Sequence, residues 1–122
     1  MKKAIKLSNI LFLLIGGLLL FVPKVSAATL TVCASGCTYT QIDAAITAAT
    51  TGDTITVGTS ASGYNGFTNA GTKNITITKA DGITVLPVIN SAVNISSTGT
   101  TVIKGLNISG TTLTVSAGTV TL

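Results

Sequence analysis

Set out in rows of twenty, the chain beyond Asp53 aligns with itself. Ile55, Ile75, Ile95 and Val115 fall in one column, preceded by Thr54, Asn74, Asn94 and Thr114 and followed by Thr56, Thr76, Ser96 and Ser116. Ile83 with Ile103, Leu86 with Leu106, Val88 with Ile108 and Val93 with Leu113 make further columns. A repeat near this length is the mark of a solenoid, because one row cannot bury its own apolar side chains and a stack of rows can. Within a row, polar and apolar residues alternate, as in Asn74-Ile75-Thr76-Ile77-Thr78, which sends isoleucines inward and hydroxyls outward on a strand. Gly82, Gly99, Gly105, Gly110 and Gly118 punctuate the rows. The pattern predicts two or three short strands per row, each beside its copy one coil away, parallel and about 4.8 Å apart. Threonine is the commonest residue of this stretch and Leu is scarce beside Ile and Val, which is strand chemistry. The fold class read from it is all-β: a parallel β-helix of about twenty residues per coil, filling residues 54–122, with the last coil incomplete.

One short helix precedes the rows. From Thr40 to Ala49, Ile42, Ala45, Ile46 and Ala49 recur at i, i+3, i+4 and i+7 and form one apolar face. Thr40 and Asp43 resemble a capping box, and Gly52 suits a left-handed position at the other end. Solenoid ends expose unpaired backbone and open core. The helix is the natural lid for the first coil, so residues 28–53 read as an N-terminal cap. Nothing similar follows Thr121-Leu122, where Leu122 is expected in register with Val102; that end implies further coils or self-association.

Ahead of the cap, Lys2, Lys3 and Lys6 precede an apolar run from Ile10 to Val22, then Pro23 and the small residues Ser26 and Ala27. This is the form of a secretory signal peptide over residues 1–27, too short in its apolar run to cross a bilayer as a stable span. Cleavage is expected after Ala27, with Ala28 the second choice. A lipoprotein anchor at Cys33 is disfavoured, since bulky Val32 precedes it and the apolar run lies far upstream. Removal of the leader takes Lys24 as well and leaves Lys73, Lys79 and Lys104 against Asp43, Asp53 and Asp81. The exported part is therefore charge-balanced, and a nucleic-acid partner is excluded. After export Cys33 and Cys37 would meet an oxidising environment, so a local disulfide is expected. Metal ligation would need further ligands, and the chain has no His. No cofactor or metal site is read.

The run Cys33-x-x-x-Cys37-x-Tyr39-x-x-Ile42-x-x-Ala45-Ile46-x-x-Ala49-x-x-Gly52-Asp53-x-Ile55-x-Val57, followed by Gly63-Tyr64, resembles the N-terminal module of pectin-lyase-like right-handed parallel β-helix proteins. The segments Asn74-Ile-Thr-Ile and Gly105-Leu-Asn-Ile-Ser-Gly110 are similar to that family's coil repeats. The export signal implies a secreted, extracellular or cell-surface location, and the resemblance implies a right-handed coil. It implies little about activity, because the fold hosts lyases, hydrolases, epimerases, adhesins and surface repeats. Family polygalacturonases use clustered Asp with His and Arg, and pectate lyases use an Arg base with acidic calcium ligands. This chain has no Arg, His or Glu, and its three Asp are scattered, so no catalytic residue carries over. Asp43, Asp53 and Asp81 read as helix-start, turn and corner residues.

Two binding surfaces are suggested. Thr54, Thr56, Asn74, Thr76, Asn94, Ser96, Thr114 and Ser116 would form one outward ladder of short polar groups, suited to a polysaccharide or cell-surface glycan. The ladder also resembles the Thr-x-Thr arrays of β-solenoid antifreeze proteins, although in rows of twenty only the first row and, less closely, the last carry that pattern. Plain β-propensity explains outward threonines as well. Tyr64 and Phe67, in the Gly-rich stretch from Gly58 to Gly71, could stack on a sugar ring or pack beneath the loop. The sequons at Asn74, Asn94 and Asn107 arise naturally where a corner Asn precedes an Ile-Thr or Ile-Ser strand. The functional expectation is a non-enzymatic module of a surface protein that adheres or binds carbohydrate. The alternatives are the start of a polysaccharide lyase or glycoside hydrolase with its active site in further coils, and an ice-binding solenoid.

Overall fold

In the computed structural model the described residues are 26–109 and 111–122, so the signal-peptide reading lies almost wholly outside them. The chain winds into a β-solenoid of about four turns. In order, the elements are β1 (Thr29–Val32), α1 (Ile42–Ala48), β2 (Thr54–Val57), β3 (Thr68–Asn69), β4 (Ile75–Lys79) and β5 (Val88–Ile89). β6 (Val93–Ile95), β7 (Thr100–Lys104), β8 (Asn107–Ile108), β9 (Leu113–Val115) and β10 (Thr119–Thr121) follow. They stack in parallel as three sheets, β1-β2-β4-β7-β10, β3-β6-β9 and β5-β8. Among the described residues no helix is long and apolar enough to cross a membrane.

Alternation sets the faces. In β2, Ile55 and Val57 are buried while Thr54 and Thr56 are half-buried on the outer face, and β4 repeats this with Ile75 and Ile77. Inward side chains from all three sheets, including Val32, Ile55, Ile77, Ile89, Val93 and Ile95, form one continuous core. The N-terminal end of that core is closed by α1, whose Ile42, Ala45 and Ile46 are buried.

The register differs from a uniform twenty-residue repeat. Along the five-stranded sheet, Thr29 pairs with Thr54, Thr54 with Thr76, Thr76 with Val102 and Val102 with Thr121, steps of 25, 22, 26 and 19 residues. Ile55 therefore stacks on Ile77, not Ile75, and Ile103 on Ile77, not Ile83. Ile95 belongs to another sheet, where Val93 with Leu113 and Ile95 with Val115 do pair as expected. Ile89, not Val88, meets Ile108, and Thr121, not Leu122, meets Val102. Coil length varies because corners take up different numbers of residues. The stretches after β2 and β4 are long and those after β7 are short.

Helix α1 is shorter than its apolar periodicity predicts. Gln41 is the N-cap, without a side-chain cap bond, so the Thr40 and Asp43 capping box does not form. The Asp43 carboxylate instead accepts the Thr68 N–H at 3.1 Å and ties the lid to β3. Ala49 is the C-cap, and Gly52 takes its positive φ of 98° in the turn beyond. Gly118 is constrained more tightly: its φ is 73° and a Cβ there would run into the Ser97 carbonyl oxygen of the previous coil.

Candidate functional site

The eight-residue polar ladder does not exist as one surface. Thr54, Thr56 and Thr76 lie on the five-stranded sheet, Asn94 and Thr114 stand on the outer face of β6 and β9, and Ser96 and Ser116 follow those two strands. Asn74 sits at a corner, where its Oδ1 accepts the Thr100 N–H at 2.7 Å. The unequal coils are what separate these residues.

Correct register assembles a different array. On the outer face of the five-stranded sheet, Thr29, Thr54 and Thr76 form one rank and Thr31, Thr56 and Thr78 the next. Three successive coils thus present Thr-x-Thr side by side, with ranks about 4.8 Å apart along the solenoid and the two threonines of a strand about 6.6 Å apart. Val102 and Lys104 continue the two ranks in the fourth coil, and Thr121 ends the first. The hydrogen-bonded sheet fixes both spacings of this face. The face is stiff because Thr is branched at Cβ. Thr31 is partly engaged, since its hydroxyl accepts the Thr38 N–H at 3.2 Å from the adjoining loop. Beside Thr76 a shallow groove of about 160 Å³ runs between Asp53, Asn74, Thr100 and Val102. Sequence reasoning missed Thr29, Thr31 and Thr78. The motif Thr-x-Thr itself, recurring at Thr29, Thr54 and Thr76, was the signal that could have found them.

Of the two readings of the aromatic pair, packing beneath the loop is the one found. Tyr64 and Phe67 are each only 2 % exposed, so neither ring is offered to a sugar. Tyr64 fills the core beside Ile89, and its hydroxyl donates to the Gly58 carbonyl at 2.8 Å. Burial pushes the phenol above its ordinary range, which keeps it protonated and donating. Between the two aromatic residues, Gly66 lies against the Ala92 backbone of the next coil, where no Cβ would fit.

The sulfurs of Cys33 and Cys37 lie at disulfide distance, 2.06 Å, and close a short loop at the end of β1. Each carboxylate has a separate setting. Asp43 holds β3, Asp81 is exposed in a turn before Gly82, and Asp53 is buried. Asp53 Oδ2 accepts the Thr50 N–H at 2.7 Å and its hydroxyl at 3.0 Å, while Oδ1 accepts the Ala28 N–H at 2.7 Å. These bonds, those from Thr50 foremost, hold its pKa below the ordinary carboxylate range against the opposing effect of burial.

At the C-terminal end the core is open. Ile103, Leu106, Ile108, Leu113 and Leu122 line a groove of about 370 Å³, and Leu122 is 77 % exposed. Comparison with protein-family models, curated proteins and solved structures returned no match, so the pectin-lyase-like resemblance rests on the residues quoted for it.

Proposed function

We propose that this chain is the N-terminal module of an exported, pectin-lyase-like surface protein, and that the threonine face of its five-stranded sheet binds a polysaccharide or cell-surface glycan without catalysis in these coils. The observation that carries the reading is the pair of ranks Thr29, Thr54, Thr76 and Thr31, Thr56, Thr78. A glycan is a periodic polymer of hydroxyls and ring oxygens, and a fixed grid of short donors and acceptors meets it with little side-chain entropy to lose. The exposed Lys104, continuing the second rank, extends the choice to acidic sugars. The carboxylates of the described coils serve structural contacts or stand apart, so no acid and base pair faces the grid. Two carboxyl groups across one bond are what glycoside hydrolysis requires in most families.

The test replaces Thr54, Thr56, Thr76 and Thr78 with Val, which keeps Cβ branching and strand propensity while deleting hydroxyls. Retention on a glycan array or on insoluble polysaccharide should fall at least tenfold in the variant with its fold unchanged by circular dichroism. Equal retention by both proteins refutes the reading. A second reading, ice binding, is favoured by the same three consecutive Thr-x-Thr coils. Thermal hysteresis in the parent protein, lost in the variant, would establish it in place of glycan binding.

A further inference from the structure

Asp53 is a buried charge that the proposed glycan face does not use, and its position fits a different event. One of its oxygens is filled by Thr50, in the turn just before it. The other points at the backbone nitrogen of Ala28, 25 positions away in the chain. Ala28 leads directly into β1, and its carbonyl accepts the Thr54 N–H at 2.8 Å, so the residue is held on both sides at the start of the first coil. Ser26 and Ala27, immediately upstream, are exposed and have no strand or helix structure. Small residues at these positions, following an apolar run and Pro23, are the form of a signal-peptidase site.

We infer that the Ala27–Ala28 peptide bond is a processing site and that Asp53 is the receptor for the amine its cleavage releases. Hydrolysis adds one water across the bond, leaving a carboxylate on Ala27 in the departing leader and an ammonium group on Ala28. A neutral N–H in front of a carboxylate thereby becomes a full positive charge at the same atom, 2.7 Å from Asp53 Oδ1. Processing converts an amide hydrogen bond into a charge-assisted one and strengthens the closure of the first coil after export. The geometry also separates the two possible sites. Cleavage after Ala28 would remove both the nitrogen that Asp53 accepts from and the carbonyl that Thr54 donates to.

The pH dependence has two sides. The amine, raised by its partner, contributes stability that is complete below its unfolded value of about 7.7–8.0 and is lost as pH rises through the folded value. Asp53, lowered, contributes stability present above the ordinary carboxylate range and lost as pH falls through its folded value. Lys73 is the further charge acting on Asp53 among the described residues, and its ammonium is engaged by the Ile46 and Thr47 carbonyls at 2.8 and 3.2 Å.

The chain with its leader should be exported from a bacterial host and the released protein examined by intact mass and N-terminal sequencing. A chain beginning at Ala28 is expected; one beginning at Thr29, or retaining Ala27, overturns the assignment. The Ala28 amine, followed by NMR in the released protein, should titrate at least one pH unit above about 7.7–8.0, as an adjacent opposite charge requires. Titration within the ordinary range overturns the ion pair, and this measurement needs no variant. In Asp53→Asn the amine should return to its ordinary range. If that variant folds and the amine still titrates high, Asp53 is not its receptor.

Discussion

The first and last coils of this stretch of solenoid differ in how their core is covered. At the N-terminal end the last turn of core is covered: α1 lays Ile42, Ala45 and Ile46 over it, Asp43 and Lys73 fasten the helix to neighbouring coils, and Cys33 and Cys37 close the loop before it. At the C-terminal end β8, β9 and β10 are bare edges, and Leu122 and Val115 are exposed at 77 and 47 %. Every interior coil has a neighbour on each side, so stability in a solenoid is a sum over interfaces and a missing interface lowers it locally. Amide exchange should show this as a gradient, with β2 and β4 protected most and β9 and β10 least.

The largest effect is expected where the lid meets the core. Ile42 is fully buried, and Ile42→Ala should cost about 2–5 kcal/mol through lost transfer energy and the cavity left under α1. Urea unfolding measures it directly. A cost under about 0.5 kcal/mol would show that α1 is not a working lid and would erase the contrast between the ends. Next comes the loop beside it. Replacing Cys33 and Cys37 together with Ser should cost about 2 kcal/mol, the value expected for so short a closed loop, and the loss should vanish when both proteins are compared in reductant.

Inside the stack, Tyr64→Phe should cost about 0.5–1.5 kcal/mol. It removes one hydrogen bond to the Gly58 carbonyl and leaves ring packing intact. Thermal unfolding of the two proteins is the check. A neutral result would mean that water replaces the hydroxyl there, and that the coil between β2 and β3 is wetter than the burial of Tyr64 implies.

Much of this architecture was legible in the residues, and the part that was not has a physical cause. Alternation in Thr54-Ile55-Thr56-Val57 and Asn74-Ile75-Thr76-Ile77 revealed strands and their inner faces, and the 3.6 period of Ile42, Ala45 and Ile46 revealed the lid. Register was hidden by the same alternation. Moving a strand by one residue exchanges its faces, but moving it by two preserves every inward and outward assignment. Ile75 and Ile77 are chemically identical partners for Ile55, and the faces alone do not distinguish a step of 20 from one of 22. Val93 with Leu113 came out correctly because the coil between them does span twenty residues. The threonine grid suffered most, since its existence depends on which coil neighbours which. Asp53 was read as a turn residue, and its turn is real. Its second partner, Ala28, lies a full coil away, beyond any local pattern.

The smallest expected effect sharpens the comparison most. Leu122→Ser removes as much apolar surface as a core truncation would, yet at 77 % exposure the side chain gives up little on mutation. The unfolding free energy should stay within about 0.5 kcal/mol of the parent, as for ordinary surface positions. That value holds only while the groove lined by Ile103, Leu106 and Leu113 faces water. If a neighbouring coil covers that end in solution, Leu122 becomes a core residue, and the same substitution costs several times more, with a dependence on protein concentration if the cover is a second molecule. Measuring Leu122→Ser at two protein concentrations therefore distinguishes an open end from one closed by a second copy.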